Sequence, residues 1–101
     1  MAVLMLIAGS ARAQPAMDAG ATTCEAWVAH RSTPGAAPAL AEGQWVLGFL
    51  SGIGHMHLGE LEPLHGILPQ QVWLWIDGHC AAHPTETIAQ AAAAFIVAHP
   101  R

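Results

Sequence analysis

The residues able to do chemistry are few, and two of them are cysteines, Cys24 and Cys80. A pair of cysteines in a small exported domain reads as one structural disulfide, which removes both thiols from the catalytic candidates. His79 and His83 stand four apart, a spacing that can bring two imidazoles to one metal ion on a helix. The glutamate of a metalloprotease helix is missing, because Cys80 follows His79. His55 and His57 are two apart and fall on different sides of a helix. Ser51, in Leu50-Ser51-Gly52, lacks the flanking glycine spacing of a nucleophile elbow and falls mid-helix. Glu60 and Glu62 are paired carboxylates in a turn, where acids are ordinarily just solvated. No phosphate-cradling glycine loop is present. The reading is a non-enzyme with no catalytic residue, no cofactor site and no functional metal site.

Charge narrows the partners. The chain has no lysine, and residues 14–101 keep two arginines, Arg31 and Arg101, against seven carboxylates, a side-chain sum of −5 with neutral histidines. That balance speaks against nucleic acid and anionic membranes. Seven histidines would carry the sum to +2 if all were protonated before the carboxylates titrate. They are either ordinary surface histidines in a lysine-poor composition or a pH trigger.

The N-terminus sets the compartment. Val3-Leu4-Met5-Leu6-Ile7-Ala8 is apolar, Gly9-Ser10 break the run, and Ala11-Arg12-Ala13 supplies the small residues a signal peptidase reads. The run is much shorter than the ~20 apolar residues needed to span a bilayer. Residues 1–13 are therefore expected to be an export signal, with the true gene start upstream because no basic residue precedes the apolar run. A short buried N-terminal helix is the alternative. Residues 14–101, 88 in number, make one domain, of a size at which covalent staples are common.

Breakers and periodicity place the elements. A first helix is expected over 18–31, capped near Thr22 or Thr23, with Cys24, Trp27, Val28 and Arg31 on one stripe. Ser32-Thr33-Pro34-Gly35 ends it. A second runs from Pro38 to about Leu58, with Trp45, Phe49, Leu50, Ile53 and His57 on its stripe. Gly48 and Gly52, four apart, are expected to let a neighbouring helix approach. A third opens at Pro69 and carries Val72, Trp73, Ile76 and Cys80 inward. Pro84 starts a fourth, from about Thr85 to Ala98, with Ile88, Ala92, Phe95 and Ile96 inward, Glu86 near its positive end and His83 as a candidate cap. The expected fold is all-α, a small four-helix bundle with one disulfide. Trp27 and Trp73 should pack beside the bridge. Trp75 either anchors an interface or covers a core edge.

Four segments carry a family resemblance: Thr23-Cys24-Glu25-Ala26-Trp27, Trp45 to Gly52, Trp75-Ile76-Asp77-Gly78-His79-Cys80, and His83-Pro84 before an alanine-rich helix. In this order the chain resembles the Tai-type immunity proteins, small periplasmic helical proteins that neutralise peptidoglycan amidases delivered by type VI secretion. It is similar, more loosely, to the HdeA/HdeB acid-stress chaperones, which share a four-helix build with one disulfide. His79 and His83 stand where relatives often carry an aromatic and an asparagine. The resemblance implies a periplasmic protein-binding homodimer that occludes its partner's active site through a loop or helix end. Separately from the resemblance, the acidic connection around Glu60 and Glu62, the longest stretch without regular structure, is either an inhibitory surface or a solubilising loop. The competing expectations are a chaperone opened by acid as buried neutral histidines charge, and a non-catalytic periplasmic domain on the same scaffold with neither activity.

Overall fold

The computed structural model describes residues 19–56, 64 and 66–100. A 3-10 turn, Ala19–Ala21, precedes four helices: α1 (Cys24–His30), α2 (Ala37–Met56), α3 (Pro69–Ala82) and α4 (Ile88–Ala98). No strand is present among the described residues. The chain is an all-α four-helix bundle with one disulfide. The expected export signal, residues 1–13, and His57, Glu60 and Glu62 lie outside the described residues.

Local chemistry fixes the helix ends. The Thr23 hydroxyl oxygen accepts from the Ala26 N–H at 3.2 Å, capping α1. Pro69 takes the first position of α3, and the Gln71 side chain reaches back to accept from the Leu68 N–H at 2.8 Å. At α4 the Thr87 hydroxyl accepts from the Gln90 N–H at 3.1 Å, and the Gln90 side chain accepts from the Thr87 N–H at 2.8 Å. This Thr-x-x-Gln capping box outweighs Pro84 as a start signal. Hence α4 begins at Ile88, not Thr85, and its cap is Thr87, not His83, which ends α3 instead. The first helix is likewise shorter than its periodicity implies, because residues 19–21 wind into the separate turn.

The N-termini of α1 and α4 lie side by side and share backbone partners. Cys24 N–H donates to the Glu86 carbonyl at 2.7 Å, Glu25 N–H to Pro84 at 3.1 Å, and Ile88 N–H to Thr22 at 2.8 Å. Three N–H groups of helical first turns, which have no acceptor within their own helices, are satisfied across the chain.

The core is built from Cys24 and Trp27 of α1, Val46 and Leu50 of α2, Val72, Ile76 and Cys80 of α3, and Ile88, Ala91, Ala92 and Phe95 of α4, none more than 1% exposed. Cys24 and Cys80 are disulfide-bonded, with Cα atoms 4.7 Å apart, tying α1 to α3. Several sequence expectations need correction. Trp73 of α3 and Ile96 of α4, expected inward, are only half-buried. Val28, placed on the inward stripe of α1, is exposed. On α2 the buried line is Ala39, Gly43, Val46, Leu50 and Gly54, while Trp45, Phe49 and Ile53 are only half-buried. The helix is turned by about one residue, roughly 100°, from the aromatic stripe. Trp45 stacks on Phe49, centroids 5.2 Å apart, and lies over Gly20 of the N-terminal turn, while Val46 and Leu50 are fully buried.

Close approach uses other glycines than expected. A Cβ at Gly20 would overlap the Trp45 ring, and one at Gly43 would sit 3.2 Å from Trp73 Nε1. Gly48 and Gly52 are exposed, with open space where a Cβ would be. Gly48→Ala and Gly52→Ala are therefore expected to raise stability by about 1 kcal/mol each, through helix propensity. Gly43→Ala, which must displace Trp73, is expected to lower the melting temperature; thermal unfolding followed by circular dichroism separates the two outcomes.

The disulfide links positions 56 apart. Replacing Cys24 and Cys80 together by alanine is expected to remove about 4 kcal/mol, the loop-closure entropy of a ring this size. Urea titration of the double variant measures it.

Candidate functional site

Asp77 organises the seam between α1 and α3. Its Oδ1 accepts from Trp27 Nε1 at 2.7 Å and from Arg31 Nε at 2.8 Å, and its Oδ2 accepts from Arg31 Nη2 at 3.2 Å. The guanidinium carbon also sits 5.6 Å from the Trp27 ring centroid, within cation–π range. The spacing explains the convergence. Cys24, Trp27 and Arg31 follow i, i+3, i+7 on α1, and Asp77 lies one turn before Cys80 on α3. Sequence reasoning gave Asp77 no role of its own. The available signal was an acid among inward positions, three residues from the bridging cysteine.

A second cluster lines α3 and α4. Trp75, His79 and His83 stack at i, i+4, i+8, with ring centroids 5.1 and 4.4 Å apart. Phe95 and His99 stack at 4.0 Å on α4, and Trp75 meets both edge-on, at 5.4 and 5.7 Å. Trp75 thus covers a core edge, the second of the two roles open to it. His79 Nε2 lies 2.7 Å from Glu86 Oε1, and His83 Nδ1 lies 3.7 Å from Glu86 Oε2. His99 Nδ1 donates to the Phe95 carbonyl at 2.9 Å, which fixes the proton on that nitrogen. The four-residue spacing does bring His79 and His83 together, yet no three His, Cys, Asp or Glu groups among the described residues are placed to hold an ion.

The buried carboxylate is elsewhere. Glu42 of α2 is 5% exposed, and both its oxygens lie within 3.0 Å of His30 Nδ1 at the end of α1. Sequence reasoning did not pair them. Ser51 is exposed on α2, as is His55.

Where α1 runs into α2, a cleft of about 80 Å³ opens over the half-buried Trp73. Arg31, Pro34, Leu40 and Gln44 border it, and Gly43 contributes only backbone. Trp73 spends its indole N–H on the Gly43 carbonyl, at 3.2 Å, leaving its ring as an apolar wall. Arg31 is the only lysine or arginine among the described residues. Two of its five N–H groups go to Asp77, which holds the guanidinium in place with three donors unspent.

No known protein family, curated protein or solved structure matches this chain. No helix among the described residues is long and apolar enough to cross a membrane.

Asp77→Ala is expected to destabilise the fold by about 2–3 kcal/mol, because it strands the Trp27 indole N–H, buried at 1% exposure, and releases Arg31. Asp77→Asn, which keeps an acceptor for the indole, should lose less. Denaturant unfolding of the two variants tests the ranking.

Proposed function

We propose that the chain is an exported, periplasmic binding protein of the immunity type, which neutralises a cell-wall amidase effector by occluding its active site and works as a homodimer. The observation that carries the reading is the disulfide between Cys24 and Cys80, both fully buried, across the α1–α3 seam. Such a bond persists in oxidising compartments, and the periplasm is one. The four-helix build agrees with what the resemblance to the Tai-type proteins implies.

Occlusion asks for a surface, not for chemistry. A stapled scaffold supports it, because a surface already ordered before contact loses little conformational entropy on binding. The rival reading, an acid-opened chaperone, calls for imidazoles buried without an acceptor. Among the described histidines His30, His79 and His99 each have an oxygen partner within 3.0 Å, and His55 and His83 are exposed.

The test is inhibition of a cell-wall amidase encoded beside this chain's gene, measured as peptidoglycan hydrolysis. Equimolar protein is expected to abolish hydrolysis. Undiminished hydrolysis at tenfold excess overturns the amidase assignment. Circular dichroism and sizing from pH 7 to pH 3 address the rival: cooperative opening together with suppressed client aggregation would move the protein to the chaperone class.

A further inference from the structure

We infer that the cleft over Trp73 is a docking notch for a net-basic polypeptide partner. In this arrangement the partner inserts one aliphatic side chain between Leu40, Pro34 and the Trp73 ring, and offers the adjacent backbone carbonyl to Arg31. The inference deepens the proposed function by naming the surface and the partner's chemistry. It rests on the protein-binding part of that reading and not on the amidase.

Size comes first. About 80 Å³ is well below the roughly 300–1,000 Å³ of small-molecule pockets, so the notch suits one side chain rather than a whole metabolite. Its apolar lining comes from Pro34, Ala39, Leu40 and Trp73, and Leu40 is 55% exposed, an uncovered aliphatic group beside a half-buried tryptophan. That pairing of aromatic and aliphatic groups around a small pocket is the composition of an interface anchor point.

Electrostatics selects the acceptor. Asp77 compensates the Arg31 charge, and the His30–Glu42 pair sits one residue along the chain from Arg31 and from Gly43. Of these groups only Arg31 lines the notch. Because Asp77 already pairs with Arg31, an incoming carboxylate would compete with it for the same guanidinium. A carbonyl, which carries no net charge, can still accept from the adjacent Nη1 and Nη2 N–H groups left unspent on a guanidinium held in place by Asp77. The formal charge of the whole chain, −4, draws a basic surface towards it.

The experiment places a photo-cross-linking phenylalanine analogue at Leu40 in the full chain, within the cells that make it. The same analogue at Val97, 80% exposed on α4, serves as the control position. Expected is an adduct from position 40 and none from position 97, with a polypeptide of net positive charge, cross-linked within a residue or two of an aliphatic side chain. With that partner purified, Leu40→Asp is expected to weaken binding at least tenfold. Arg31→Lys, which keeps the charge and loses the fork, should weaken it several-fold with the circular dichroism spectrum unchanged. If Arg31→Lys fails to fold, Leu40→Asp alone decides.

Absence of an adduct at position 40 overturns the inference. So does an adduct with lipid, with a second copy of this chain or with an acidic protein, and so does full affinity in Leu40→Asp. A basic partner that is not an amidase leaves the notch standing and removes the amidase assignment, so the two failures are distinguishable.

Discussion

The bond between Cys24 and Cys80 holds in place a helix too short to persist by itself. With seven residues, α1 is well under the ~12–15 at which an isolated helix becomes even marginal in water. Its order comes from four attachments: the disulfide, the Thr23 cap, the Asp77 contacts to Trp27 and Arg31, and the Glu86 and Pro84 carbonyls that take its first N–H groups. Two of these reach α3 and one reaches the α3–α4 connection. The order of α1 therefore depends on the other end of the chain being folded.

The same seam shapes the surface around it. Arg31 leaves the end of α1 pinned to Asp77, and the chain then turns through Ser32 and Pro34 into α2. The cleft lies at this turn because Gly43 gives α2 no side chain where Trp73 of α3 crosses it. A structural network and an open notch thus share one guanidinium: one edge is spent on the fold and the other remains free. Restraint by Asp77 lowers the entropy lost when Arg31 meets a further acceptor.

The imidazole–aromatic stack on the α3–α4 side shows how a histidine-rich, lysine-free chain uses its histidines. His79 and His99 act as flat rings that extend the Trp75 and Phe95 surfaces, while their nitrogens meet Glu86 and a backbone carbonyl. Stacking and hydrogen bonding use different parts of the ring, so both can be satisfied together.

The sequence by itself determined the number of helices, the pairing of its only two cysteines, the Pro69 start of α3 and the buried positions Val72, Ile76 and Cys80 of α3 and Ile88, Ala92 and Phe95 of α4, since breakers, cysteine count and 3.6-residue periodicity are local or arithmetical signals. It did not determine the rotation of α2. Trp45, Phe49 and Ile53 form a more apolar-looking line than Ala39, Gly43, Val46 and Leu50, yet it is the second line that is buried. Nor could spacing tell which glycines meet a neighbour: Gly48 and Gly52 share a face that no helix covers, whereas Gly20 and Gly43 lie under tryptophans. Asp77 with Arg31, His30 with Glu42, and the cleft over Trp73 are long-range meetings, up to 46 residues apart in the ion pairs. Only packing brings such residues within hydrogen-bonding distance, because sequence separation carries no information about which helix faces meet.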